Sequence, residues 1–168
     1  MPMARYPWPM LKKLTALAAL AVLAGLTGLW MAAGFSREPM ELGLQNGRLR
    51  PCPESPNCVS SDGASGDAQV APLQAGPRAG EAFTAMRAVL MGREDCEIVA
   101  ESATYLHATA RTGFFGFIDD VELHLDVDAA TLHIRSASRV GRSDLGANAR
   151  RVAELRLALE ERLSRGTE

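Results

Sequence analysis

The sequence predicts an α+β domain, an antiparallel sheet of about four strands with two helices packed on one face, preceded by an N-terminal transmembrane helix. Three observations carry this reading. Residues 14–34 contain no charged side chain. Between residues 97 and 138 the chain alternates apolar and polar side chains in successive short runs, as half-buried strands do. Segments at 82–90 and 145–163 instead repeat apolar residues at helical spacing.

The uncharged run, LTALAALAVLAGLTGLWMAAG, matches the length of about 20 residues that a helix needs to cross a bilayer core. Lys12 and Lys13 precede it directly and Arg5 lies upstream, so positive flanks keep the N-terminus in the cytoplasm and send the remainder across. A cleaved secretory signal is the rival, with Val22-Leu23-Ala24 as its cleavage site. Apolar character continues to Met31, beyond a signal's usual apolar stretch, and favours an uncleaved anchor. No cysteine follows closely enough for a lipoprotein signal. The expected organisation is a cytoplasmic N-terminus at 1–13, an anchor at 14–34, a polar spacer at 35–47 and one exported domain at 48–168. The expected location is the inner membrane, crossed once, with the domain in the periplasm.

Of 168 residues, roughly 120 remain for globular structure, enough for one core of ordinary size. The chain has 18 Lys plus Arg and 20 Asp plus Glu. Arg5, Lys12 and Lys13 belong to the N-terminal flank, so the exported part is mildly acidic and offers no broad field for nucleic acid. Export places the cysteines in an oxidising compartment. Cys52 and Cys58 enclose Pro53-Glu54-Ser55-Pro56-Asn57, a short loop stiffened by two prolines, and are the expected disulfide. Cys96 opens an apolar strand and reads as a small buried hydrophobe. His107, His124 and His133 lack the paired spacing of a zinc finger, and nothing asks for a metal or cofactor. Cys52 and Cys58 also lack the Cys-x-x-Cys spacing of a thiol oxidoreductase.

Residues 48–61 form a Pro/Cys box, and 62–76, rich in Gly, Ala, Ser and Asp, read as an excursion over the surface. After Pro77, Ala82, Phe83, Met86, Val89 and Leu90 form a helical stripe, and Gly92 ends it. Strands follow at 97–102 and 105–111, the latter with Leu106, Ala108 and Ala110 facing inward, where two small side chains let a helix approach. Three rings in residues 113–117 plug a core end or line a pocket. A hairpin then alternates Val121, Leu123, Leu125 and Val127 against Asp120, Glu122, His124 and Asp126, and returns through Leu132 and Ile134. A two-residue turn at Ala129-Ala130 opposes Asp120 to Arg139; a register shifted by two opposes Glu122 to Arg135. In either register the polar face reads as a solvated, salt-bridged surface.

At the far end of this hairpin the apolar side changes character. Ser136 and Ser138 fall where apolar residues are expected, opposite Ile118 or Asp119. Arg139, Gly141, Arg142, Ser143 and Asp144 follow, then a helix striped by Leu145, Ala149, Val152, Leu155, Leu159 and Leu163. Ser143 or Asp144 is its N-cap, and Leu145 is expected to pack at once.

The boxes RPCPESPNCVSS at 50–61, DDVE at 119–122 and RSASRVGRSDLGANARR at 135–151 together closely resemble the domain-of-unknown-function family numbered 1499, over residues 44–163. The resemblance implies membership of one fold family, found in bacteria and chloroplast lumens, and no agreed activity, ligand or cofactor. Leu123 and Ala147 stand where an aromatic residue and Val are common in that family.

The residues themselves suggest an anion site at the second helix's start. Free backbone N–H groups, the helix dipole, Ser143, Arg139 and Arg142 all favour negative charge there. Ser136, Ser138 and Asn148 complete it, and Asp119 or Asp120 holds a guanidinium in place. The competing structural reading has the same arginines tie the acidic 119–122 edge to the helix start. A hydrolase would use Asp119 and Asp144 with Ser136 or Ser138, but the chain shows no nucleophile elbow, and its histidines alternate onto the other face. No catalytic residue is assigned. The expected role is a non-catalytic envelope module that binds a small anion or a membrane-associated partner, with the anchor helix as its contact with the membrane.

Overall fold

A computed structural model describes residues 8–35, 41–113 and 116–165. Phe114 and Phe115 of the three-ring loop and residues 36–40 of the spacer lie outside the described residues. Helix α1, Trp8–Phe35, contains the uncharged run. Its Met10–Met31 stretch has mean hydropathy 1.9 and is long and apolar enough to cross a membrane.

After α1 come short strands β1 (Leu44–Gln45), β2 (Arg48–Leu49), β3 (Cys58–Ser60) and β4 (Gln74–Ala75), then helix α2 (Ala79–Met91). Strands β5 (Cys96–Glu101), β6 (Tyr105–Arg111), β7 (Ile118–Asp126) and β8 (Thr131–Ser138) follow, and helix α3 (Ala147–Arg165) ends the described chain. The four longest strands are those the alternation predicts. The antiparallel sheet has six, in the order β3-β8-β7-β6-β5, with β4 also paired to β8. The two added strands come from segments read as loop, and they share one edge of β8. Cys58 to Ser60 pair with Ala137 to Arg135, and Gln74 and Ala75 pair with Leu132 and Thr131. Strands of two or three residues carry too little alternation to be seen in a sequence. Arg156 of α3 donates to the carbonyls of Ala71 and Pro72, fastening the excursion between them to the helix layer.

Helices α2 and α3 cover one face. Ala82, Met86, Leu90, Leu106, Ala108, Ala110, Val121, Leu123, Leu132, Ile134, Leu155 and Leu159 are wholly buried there. The two alanines on β6 belong to this core. Gly92 caps α2, its N–H bonded to the Ala88 carbonyl. Val127 does not extend the apolar face, because β7 ends at Asp126 and Val127 is exposed in the turn.

The hairpin takes the shifted register, with Glu122 opposite Arg135 and His124 opposite His133. Its polar face is not solvated. Asp120, Glu122, His107, His124 and Arg135 are all buried, because the N-terminal segment returns to cover them. The β1–β2 hairpin lies within that segment, with Leu49 buried beneath it. Asp62 fixes it by accepting from the Leu49 N–H (3.0 Å) and Arg48 Nε (2.6 Å). The Gly43 N–H, within the stretch read as spacer, donates to Glu122 Oε1 (2.7 Å). The Cys52–Cys58 disulfide ties this cover to β3.

Candidate functional site

The point where the apolar side turns polar is a closed hydrogen-bond network between β7, β8 and α3. Asp119 sits opposite Ser138, which selects it over Ile118 as the carboxylate at the sheet margin. In the first turn of α3, Asn148 is fully buried and takes the stripe position that the sequence pattern gives to Ala149. Ser136 Oγ donates to Asn148 Oδ1 (2.6 Å). Asn148 Nδ2 shares its hydrogens among Ser138 Oγ (2.9 Å), Asp144 Oδ2 (2.8 Å) and the Asn57 carbonyl (2.9 Å). Arg151, one turn further on, donates to Asn148 Oδ1 (2.7 Å), to Ser136 Oγ (3.1 Å) and to Asp119 Oδ2 (2.6 Å).

Asp144 occupies the helix start. Its carboxylate accepts from the backbone N–H groups of Gly146 (2.9 Å) and Asn148 (2.7 Å). Burial pushes the Asp144 carboxyl upward, but these N–H groups outweigh it and hold the group below the usual carboxylate range. The chain's own anion thus sits where a ligand anion is expected. Leu145 does not pack. It is 85% exposed and takes a left-handed backbone (φ +53°), which turns its side chain away from the α3 stripe.

The remaining expected anion ligands diverge. Arg139 turns to the opposite sheet face, donating from Nε to Asp120 Oδ2 (2.9 Å) and from Nη2 to Asp120 Oδ1 (2.7 Å). His107 Nε2 lies 2.8 Å from the same Asp120 Oδ1. Burial raises Asp120, and the hydrogen bonds from His107 and Arg139 outweigh it, so the carboxyl lies below its ordinary range. Arg142 and Ser143 are exposed. Ser136 and Ser138 thus meet Asn148 and Arg151, while His107, His124 and His133 lie across the sheet from them, as alternation requires. Among the described residues, no three His, Cys, Asp or Glu side chains converge as metal ligands would.

The opposite face carries a second buried group that the sequence reading left on the surface. Arg135 Nη1 donates to Glu122 Oε2 (2.6 Å), and Tyr105 Oη donates to Glu122 Oε1 (2.7 Å). Burial, with the Glu122 carboxylate beside it, pushes the Tyr105 phenol upward. His124 stacks on His133 at 6.2 Å, and burial followed by the neighbouring His133 lowers its ring.

Beside the first network lies a concavity of about 480 Å³. Asp119, Ser138, Ser143 and Asp144 line its polar side, and Phe117, Val140, Leu145 and Ala147 its apolar side, with Leu29 of α1 completing the wall. Asn57 holds the Val140 loop in place by donating to the carbonyls of Ser138 (3.2 Å) and Gly141 (2.7 Å). The Cys-Pro box and the Arg/Ser-rich box, remote in sequence, therefore build one margin.

A family model described as Protein of unknown function (DUF1499) matches residues 48–159. The chain belongs to this family. The DUF1499 match spans both buried networks and the cover from Arg48 onward. No curated protein matches the chain. Within the DUF1499 region, Asn57, Tyr105 and Arg151 escaped sequence reasoning, and Arg135 enters it only as the residue opposite Glu122 in the shifted register. Arg151 carried a usable signal, since it lies three residues after Asn148 and so on the same helix face.

Proposed function

We propose that this DUF1499 domain is a non-catalytic binding module, tethered by α1 to the inner membrane with the domain in the periplasm, and that it receives an apolar segment of a membrane-associated partner. The observation behind this reading is the groove at Phe117, Val140, Leu145 and Ala147, whose apolar wall ends on Leu29 of the membrane-spanning stretch. A site that borders the anchor suits a partner confined to the same bilayer. Leu145 supports it further: a branched side chain held at positive φ and left in water costs stability, and such strain concentrates at binding sites. The serines and Asn148 behind the groove are bonded within the chain, so they shape the wall and leave contact to the apolar lip. The Lys12-Lys13 flank supports the orientation.

The test is photocrosslinking in native membranes from a benzophenone amino acid at position 145 of the full chain, compared with the exposed α3 position 157. A discrete adduct from 145 and none from 157 is expected. Equal labelling from the two positions, or none from 145, overturns the reading.

A further inference from the structure

We infer that a second, separate site on the opposite sheet face binds a small oxyanion, a carboxylate or phosphate group, on the free edge of Arg135 with Arg50 beside it. Arg135 is 2% exposed, and its guanidinium uses one nitrogen, Nη1, on Glu122. Its Nε is buried with no hydrogen-bond partner. Nη2 makes no hydrogen bond among the described residues either. A guanidinium binds carboxylates and phosphates side-on through two parallel N–H groups, and the Nε–Nη2 edge is such a pair. An unsatisfied buried donor is costly, and native structures leave few of them without a purpose.

Arg135 lines a cleft of about 520 Å³ together with Glu41, Gln45, Arg50, Pro51 and Cys52. Arg50 is half committed. Its Nε is held by the Leu42 carbonyl (3.2 Å), and its Nη1 meets Glu41 (2.8 Å), whose side chain is 85% exposed. Glu41 therefore occupies Arg50 from solvent, as an exposed carboxylate that an incoming oxyanion replaces at low cost. The wall is preorganised. Pro51 fixes its backbone, and the Cys52–Cys58 bridge fastens it to β3, two residues from Ser60, which pairs with Arg135. The Arg-Pro-Cys-Pro stretch at 50–53 thereby acquires a role that the groove beside α3 does not use.

The test titrates the full chain in detergent micelles with inorganic phosphate and with succinate, at constant ionic strength against chloride, following the Arg135 Nε–H resonance and the melting temperature. Saturable movement of both is expected. Arg50→Gln should weaken binding on the order of 10-fold, the effect of losing a charge-assisted hydrogen bond. Glu41→Gln should tighten it a few-fold, whereas Glu81→Gln, at the exposed Arg78–Glu81 pair, should change nothing. None of these substitutions removes a member of the buried Arg135–Glu122 pair. A resonance that stays still, or a Glu81→Gln effect equal to that of Glu41→Gln, overturns the site. Repeating the measurement in phosphatidylcholine and phosphatidylglycerol nanodiscs separates the sources: movement with phosphatidylglycerol alone assigns the oxyanion to a lipid headgroup, and movement that needs added phosphate assigns it to a free solute.

Discussion

Arg139 and Asp120 face one another through a two-pronged fork, Nε to Oδ2 at 2.9 Å and Nη2 to Oδ1 at 2.7 Å, with the carboxylate wholly buried. Its neighbour in sequence, Asp119, points through the sheet to Arg151. Two adjacent acids thus bind two arginines on opposite faces, as the period of a strand requires. The acidic edge that looks like one cluster in the sequence is two independent fastenings. One holds the segment leaving β8, and the other holds α3.

This separation predicts unequal effects for two arginines three residues apart. Arg139→Ala leaves Asp120 buried with His107 as its one remaining side-chain partner among the described residues, and loss of one member of a buried pair costs about 3–5 kcal/mol. Arg142 is exposed, and Arg142→Ala should stay within about 0.5 kcal/mol of the parent. Urea unfolding of the two variants checks the contrast. Equal costs would contradict the assignment of Arg139 to the opposite sheet face.

Asn148 is the joint of the other fastening. Asn148→Ala strands Ser138, leaves the Ser136 hydroxyl with Arg151 as its partner and removes a partner of Arg151 itself, and the expected loss is about 2–4 kcal/mol, a cavity added to unpaired buried polar groups. Asn148→Asp keeps the shape but sets a second carboxylate beside Asp144. It should therefore lose more stability at neutral pH than at pH 4, which denaturation at the two pH values tests.

The alternating strands, the two helical stripes, the disulfide pair and the change of character at Ser136 are all legible in the sequence, because each is local and periodic. The cover over Asp120, Glu122 and Arg135 is not. Alternation separates the faces of a hairpin without saying what lies on the second one, and here the cover arrives from residues 41–62, some 60 to 80 positions earlier. Charged residues on a strand are usually solvated, so base expectation pointed the wrong way. Leu145 fails for a related reason. It keeps stripe spacing with Val152 and Leu155, but a positive φ and the Asp144 cap start α3 only at Ala147.

Acid should weaken the fold in two stages. His124 has a lowered ring, so as pH falls past about 6.5, the usual histidine value, the unfolded chain takes up a proton that the folded chain refuses. Stability present above that pH declines below it. Asp120 and Asp144 have lowered carboxyls, so their contribution is complete above the ordinary carboxylate range and is lost as pH falls through their folded values. A shallow decline near pH 6 should precede a steep one below pH 4. Asp144→Asn retains a capping oxygen while removing the titration, and it should flatten the lower stage of a melting curve followed against pH.

Reducing the Cys52–Cys58 bridge should cost about 2 kcal/mol, since the closed loop is short. The loss should fall first on the cover, whose short strands make few sheet contacts of their own. Hydrogen exchange should then accelerate at the Gly43 and Leu49 amides, which bond to Glu122 and Asp62, while the amides of β6 and β7 stay protected. Uniform acceleration would mean that the cover and the sheet unfold as one unit.

Leu145 offers the sharpest separation of stability from binding. Its left-handed backbone costs a branched residue about 1–2 kcal/mol, and glycine adopts the same angles freely. Glycine has its own entropy cost, so Leu145→Gly should stabilise the domain by about 0.5–1 kcal/mol. The exposed side chain contributes no compensating burial. If the groove receives an apolar partner, this more stable variant should lose capture in membranes, scored by crosslinking from the neighbouring groove position 140, while Leu157→Gly should lose stability and keep capture. A Leu145→Gly variant that gains stability and still captures the partner would show that the strain serves no contact and would remove the support that Leu145 lends to the groove.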